Sequence, residues 1–151
     1  MILSTHLIAG AIIASKISNP ILALPLAFLS HYFLDSLPHK DYSITNIHLK
    51  QWNKAFFDFL RVFIDVFLGI FFILLFSDNS ILVFFAAFLA ITPDGVTLFS
   101  KIIPENKMTH LHQKIHMAAN TIGDSAINKK IPYFLGILSQ AIVVISAIFL
   151  L

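Results

Sequence analysis

Apolar runs separated by short polar punctuation organise this chain of 151 residues. Residues 2–17 form the first run, with His6 near its start and Gly10 in its middle. It falls short of the ~20 residues that a full membrane crossing needs. Ser18-Asn19-Pro20 is a turn signal. Residues 20–35 run back as a second apolar segment, and together the two predict a helical hairpin. Pro38 stops that segment, and a polar loop follows over 38–53. A long helix is expected over 54–76, carrying Asp58, Arg61 and Asp65. Ser77-Asp78-Asn79-Ser80 marks a tight turn. The next run, 81–91, ends at Thr92-Pro93-Asp94-Gly95 and resumes over 96–103. After Pro104, residues 109–127 have helical character with one polar face, and 131–151 is an uncharged run close to crossing length.

This pattern predicts an all-α fold: an integral membrane bundle of about five hydrophobic helices plus an amphipathic helix on the cytoplasmic side. Residues 1–151 read as a single membrane-embedded, metal-binding domain. Composition agrees, because 58% of residues are hydrophobic and 12% charged, where a soluble domain carries roughly 25% charged residues. No run shows the alternation of an outer-membrane barrel. Trp52, the only tryptophan, falls where an interfacial anchor belongs. The first residues lack a basic region and a small-residue cleavage site, so the chain reads as mature from Met1.

Two absences narrow the chemistry. There is no cysteine, which excludes a disulfide framework and a thiolate metal site. The net charge of +2 is modest, and no basic array interleaved with aromatics points to nucleic acid.

Tracing the runs back and forth places Lys40, Lys50, Lys54, Arg61, Lys101, Lys107, Lys114, Lys129 and Lys130 on one side, with Lys16 near the other. The positive-inside rule makes the first side cytoplasmic. The N-terminus is then inside and the C-terminus outside. All seven histidines, with Asp35, Asp41 and Asp94, gather on that cytoplasmic side.

His31 and Asp35 stand one helical turn apart on one face, and His39 and Asp41 follow at once on the loop. Imidazole and carboxylate at this spacing suit a divalent metal that prefers nitrogen and oxygen. His112 and His116 repeat the i, i+4 spacing, and Asn120 and Asp124 continue their stripe. His110 is a substitute ligand or orients one. Asp94 ends an apolar run, where a cation offsets the several kcal/mol of burying a carboxylate; a capping role in a Pro-Asp-Gly turn is the alternative. Asp65 lies inside a span, a functional candidate by position. It either orients a ligating imidazole or pairs with Arg61 one turn away. His6 is a ligand or a hydrogen-bonded structural residue. His48, Asp58 and Asp78 read as solvated.

Thr5-His6-Leu-Ile-Ala-Gly10-Ala, Leu29-Ser30-His31-Tyr-Phe-Leu-Asp35 and Thr92-Pro93-Asp94, with the later histidine cluster, resemble the membrane-bound metal-dependent hydrolases of the DUF457 type. These are small bacterial and archaeal inner-membrane proteins, so the resemblance implies a prokaryotic inner membrane for this chain. Asp35-Ser-Leu-Pro38-His39-Lys-Asp41-Tyr42 is similar to the motif of a short subgroup, HxxxDxxPHxDY. The His-x-x-x-Asp spacing followed by His is also similar to a ligand group of the zinc-dependent phospholipase C and S1/P1 nuclease superfamily. The order of the motifs differs here, since His31/Asp35 precedes Pro93-Asp94. The resemblance implies an all-helical fold with a site of two or three metal ions.

The expected function is therefore a membrane-bound metal-dependent hydrolase of a phosphoester in a lipid or lipid-linked substrate. Its metal ligands would be drawn from His6, His31, Asp35, His39, Asp94, His112 and His116. Zinc is the expected ion, with manganese, iron or magnesium as alternatives. Asp41, Asp65 or His110 serves as base or orienting group. The rival reading is a non-enzymatic membrane metal-binding protein, an ion carrier or assembly scaffold; haem binding is a weaker third.

Overall fold

The computed structural model describes residues 1–102, 107–124 and 133–150. The side chains of Asn120 and Asp124, and Lys129 and Lys130 altogether, lie outside what it describes. Among the described residues all the regular structure is helical, with no strand. The helices are α1 (Leu3–Lys16), α2 (Pro20–Asp35), α3 (Thr45–His48), α4 (Phe56–Phe76), α5 (Ile81–Ile102), α6 (Lys107–Asp124) and α7 (Tyr133–Leu150).

Local chemistry explains most of the boundaries. Asn19 accepts a hydrogen bond from the Ile21 N–H at 3.0 Å, and Pro20 occupies the first turn of α2, where its missing N–H is no loss. α1 has no side-chain cap of its own. Its start is capped from α4 instead: Asp65 accepts the Leu3 N–H at 2.6 Å and the Ser4 N–H at 3.1 Å, meeting amides that no helix can satisfy internally.

Three sequence expectations change here. α5 runs unbroken through Pro93 rather than ending there, because packing on α1 and α2 holds the helix together across the lost hydrogen bond. The loop over 38–53 contains α3 and a 3-10 turn, Trp52–Lys54. Asp58, read as solvated, is buried at 1% exposure. It accepts from the Asn46 and Ile47 amides at 2.8 and 3.2 Å and from Arg61 at 3.1 Å. Arg61 thus pairs with Asp58, not with Asp65.

α1 is the centre of the bundle, packed on α5, α4, α2 and α7. Small side chains make this possible: Ala11 and Ala14 of α1 share one core with Ala23 and Ala27 of α2 and Ala86 and Ala87 of α5. Close approach through small residues is how helices associate where water provides no drive. Gly10 is the extreme case, since a Cβ there would lie 2.6 Å from the Ala86 carbonyl oxygen. α4 and α5 are consecutive, yet both pack chiefly on α1 rather than on each other.

Two helices, Phe56–Phe76 and Ile81–Ser100, are long and apolar enough to cross a membrane. The outward face of α4 is apolar, with Phe63 and Phe67 exposed at 68% and 59%, the kind of surface that marks a membrane or partner contact. α1, at 14 residues, rises only ~21 Å at 1.5 Å per residue, too little for a ~30 Å hydrocarbon core.

Candidate metal centre

Four side chains from three helices converge at one end of the bundle. His31 and Asp35 come from the last turn and a half of α2, Asp94 from the turn after Pro93 in α5, and His116 from α6. One ligand atom of each lies within 4.8 Å of all the others. His31 Nε2 is 3.2 Å from Asp35 Oδ2, 3.0 Å from His116 Nε2 and 3.8 Å from Asp94 Oδ1. His116 Nε2 is 3.1 Å from Asp94 Oδ1 and 3.4 Å from Asp35 Oδ2. Ligands ~2.0–2.1 Å from one tetrahedral ion stand ~3.3 Å apart. The five separations scatter about that value.

Orientation supports the same arrangement. His31 Nδ1 is 2.9 Å from the Ala90 carbonyl oxygen. A carbonyl only accepts, so Nδ1 donates and Nε2 presents its lone pair to the cluster. This is the usual arrangement of a metal-binding imidazole, whose second nitrogen is held by an outer acceptor. Asp35 Oδ2 is fully buried and takes no hydrogen bond, although two imidazole nitrogens stand at 3.2 and 3.4 Å. A buried carboxylate oxygen without a donor is costly. A cation shared with those nitrogens removes the cost.

His6 borders the cluster from α1. Its ring stacks on His31 with centroids 4.2 Å apart, its Nε2 is 3.2 Å from Asp35 Oδ1, and both its nitrogens are buried without a hydrogen bond. On the same edge the Met1 amino nitrogen lies 2.7 Å from Asp35 Oδ1 and 3.2 Å from Asp41 Oδ1. His39 Nε2 is 3.5 Å from the other oxygen of Asp41. The protein around Asp41 disfavours its charge, but His39 and the Met1 ammonium outweigh that and hold the carboxyl down at about 2. Burial likewise disfavours a charged His39, and Asp41 overrides it and raises the imidazole pKa.

The remaining expected site residues lie elsewhere. His112 Nε2 is 2.9 Å from the Pro93 carbonyl and 3.2 Å from Thr97 Oγ1, so it braces α6 against α5 rather than facing the four ligands. His110 is exposed. Asp65 caps α1. The sequence reading missed the two carbonyls, Ala90 and Pro93, that hold the imidazoles; a proline in a helix disturbs the carbonyl four residues before it, here Leu89, and so gives no signal for either. It also missed Gln140 of α7, buried at 4%, which accepts from Ile2 N–H at 3.1 Å and donates to the Lys40 carbonyl at 2.6 Å. A lone amide in an uncharged run was the available signal.

A cavity of about 660 Å³ opens beside the cluster, with Asp94 and His116 in its wall. Set against family models, curated proteins and solved structures, the chain matches none. The site is read from its own geometry.

Proposed function

We propose that this chain is a membrane-embedded, metal-dependent hydrolase acting on a phosphoester. The observation that carries the reading is the convergence of His31, Asp35, Asp94 and His116 at ligand–ligand spacing beside a cavity large enough for a substrate. The motif resemblance to the membrane-bound metal-dependent hydrolases supports it.

The two-imidazole, two-carboxylate donor set suits zinc best, with manganese, iron or magnesium as alternatives. When bound, such an ion polarises a phosphoryl oxygen and brings the pKa of water from ~15.7 towards ~7. The chain's own residues do the rest. Ala90 fixes the His31 ring, Asp35 and Asp94 hold negative charge where a cation is wanted, and the cavity admits substrate on the Asp94–His116 side. Hydrolysis adds the oxygen of water to phosphorus and breaks the ester P–O bond. One water proton leaves on the alcohol product and the other passes to solvent through the cavity, because Asp41, held down by His39 and the Met1 ammonium, is too weak a base to keep it. Beside this site, Asp35 Oδ1 and Asp41 hold the Met1 ammonium, which takes the place a second metal ion would need. The motif resemblance implies a prokaryotic inner membrane, and the lysine distribution puts this end of the bundle in the cytoplasm.

A second reading, a metal staple or carrier without turnover, is favoured by the ligand count. Four protein ligands are typical of structural sites, whereas catalytic sites keep a position open. Asp94, 25% exposed at the cavity wall, favours catalysis, since a solvent-facing carboxylate yields its place most readily.

The test is metal analysis of the purified chain together with hydrolysis of bis-p-nitrophenyl phosphate. Stoichiometric metal and chelator-sensitive turnover, both lost in His31→Ala, are expected. Metal without turnover selects the staple; turnover unaffected by chelator and by His31→Ala overturns the proposal.

A further inference from the structure

The wall of the cavity beside the metal centre is of two kinds. Asp94 and His116, with the loop residues Asp41, Tyr42, Ser43 and Thr45, make part of it polar. Val62 and Val66 of α4, together with Ile91 and Leu98 on either side of Asp94 in α5, make the rest apolar. These four belong to the two helices that are long and apolar enough to cross a membrane. The gap exists because α4 and α5 diverge: joined through the turn at 77–80, each packs on α1 instead of on the other. Its volume of about 660 Å³ falls within the ~300–1,000 Å³ of ordinary ligand sites.

Charge narrows the occupant further. The described lining contains two carboxylates, Asp41 and Asp94, two imidazoles, His48 and His116, and Met1, but no lysine or arginine. The Met1 ammonium is already paired with Asp35 and Asp41, so the metal centre is the counter-charge left for an anionic head. A phosphodiester carries one negative charge and a phosphomonoester close to two. The second charge would face Asp41 and Asp94 in a low-dielectric cavity, where like charges repel strongly.

We propose that the occupant is a membrane phosphodiester lipid, with its phosphate at Asp94 and His116 and one acyl chain lying between α4 and α5 against Val62, Val66, Ile91 and Leu98. The inference rests on the metal-hydrolase reading for its chemistry, but not for its binding geometry. The chain enters sideways from the bilayer, so the lipid need not leave the membrane to reach the ligands.

The test uses the full chain in nonionic detergent, photolysed with phosphatidylglycerol bearing a diazirine at the end of one acyl chain. Phosphatidic acid with the same chain is the monoester probe. Residue-level mapping is expected to place the phosphatidylglycerol label on Val62, Val66, Ile91 or Leu98, with little from phosphatidic acid. Val66→Trp, which fills the gap, should lower that label about tenfold, equivalent to ~1.4 kcal/mol of binding, with metal content unchanged. Leu98→Trp stands in if Val66→Trp does not fold, and the wild-type map decides alone if neither does. Label confined to the outward Phe63 and Phe67, or to the separate crevice at Phe72 and Ile137, overturns the proposal. Equal inner labelling by phosphatidic acid overturns the diester preference. Inner labelling without chelator-sensitive turnover would sink the hydrolase reading and leave the lipid site standing. Turnover of bis-p-nitrophenyl phosphate without inner labelling would do the reverse.

Discussion

The imidazole of His31 is held by the Ala90 carbonyl at 2.9 Å, and that one bond decides which nitrogen faces Asp35. It ties the end of α2 to α5 and fixes the ring before any ion arrives. Removing an outer partner of a ligand typically costs ~10–100-fold in metal affinity, so losing His31 itself should cost more. His31→Ala and Asp35→Ala are each expected to lower zinc affinity by more than ~100-fold. His110→Ala, altering an exposed side chain, should leave it unchanged. Competition titration against a chromophoric chelator measures all three, and equal affinities throughout would dissolve the site.

Metal occupancy is linked to stability. An ion that binds only the folded chain stabilises it by about 2.7 kcal/mol at a hundred times its dissociation constant. Chelation is therefore expected to lower the thermal midpoint of the detergent-solubilised protein. The ligands must be deprotonated to bind, so protons compete with the ion. Metal-linked stability is then greatest at alkaline pH and is lost as pH falls and protons displace the ion. Melts with and without chelator should differ at alkaline pH and converge at mildly acidic pH. A chelator effect that grows on acidification would contradict the imidazole ligands.

Asp65 acts on α1 rather than on the metal. Both its oxygens take backbone N–H groups, from Leu3 and Ser4. Asp65→Asn turns an ionised acceptor into a neutral amide, and hydrogen bonds to charged groups are worth ~1.5–3 kcal/mol. A destabilisation of that order is expected, with faster hydrogen exchange at the Leu3 and Ser4 amides. Unchanged exchange there would show that the cap contributes nothing.

The helices and the ligands were legible in the sequence to different degrees, for physical reasons. α2 begins and ends where Asn19-Pro20 and the polar residues after Asp35 predict, because caps and prolines act locally. The i, i+4 spacing of His31 and Asp35 put both on one face, and His116 and Asp94 join them. Spacing could not separate His112 from His116, however, because both lie on the same stripe of α6. Only the crossing of α6 over the Pro93 turn assigns one to a carbonyl and the other to the cluster. Asp58 and Asp65 show the same limit. Asp58 reads as solvated and Asp65 as an orienting group or a partner of Arg61, because the helix starts they cap lie 12 and 62 residues away in sequence.

The contact between α1 and α5 links packing to the metal centre through Gly10. A Cβ on Gly10 would stand 2.6 Å from the Ala86 carbonyl oxygen, 2.9 Å from Ala87 Cα and 2.9 Å from Ala90 Cβ. Two of those atoms are backbone and cannot swing aside, so Gly10→Ala must push the helices apart. Overpacking of this kind costs about 1–3 kcal/mol. It also displaces Ala90, whose carbonyl positions His31, and with it the turn that carries Asp94. Gly10→Ala is therefore expected to lower zinc affinity as well as stability, although Gly10 touches no ligand atom. Gly95 supplies the control, because a Cβ there meets nothing within 4 Å. Gly95→Ala should raise stability by roughly 0.5–1 kcal/mol, the usual gain in a helix, and leave affinity unchanged. Paired melts and zinc titrations of the two variants separate the outcomes. Loss of stability in Gly10→Ala with undiminished zinc affinity would mean that the His31–Ala90 bond does not set the ligand geometry.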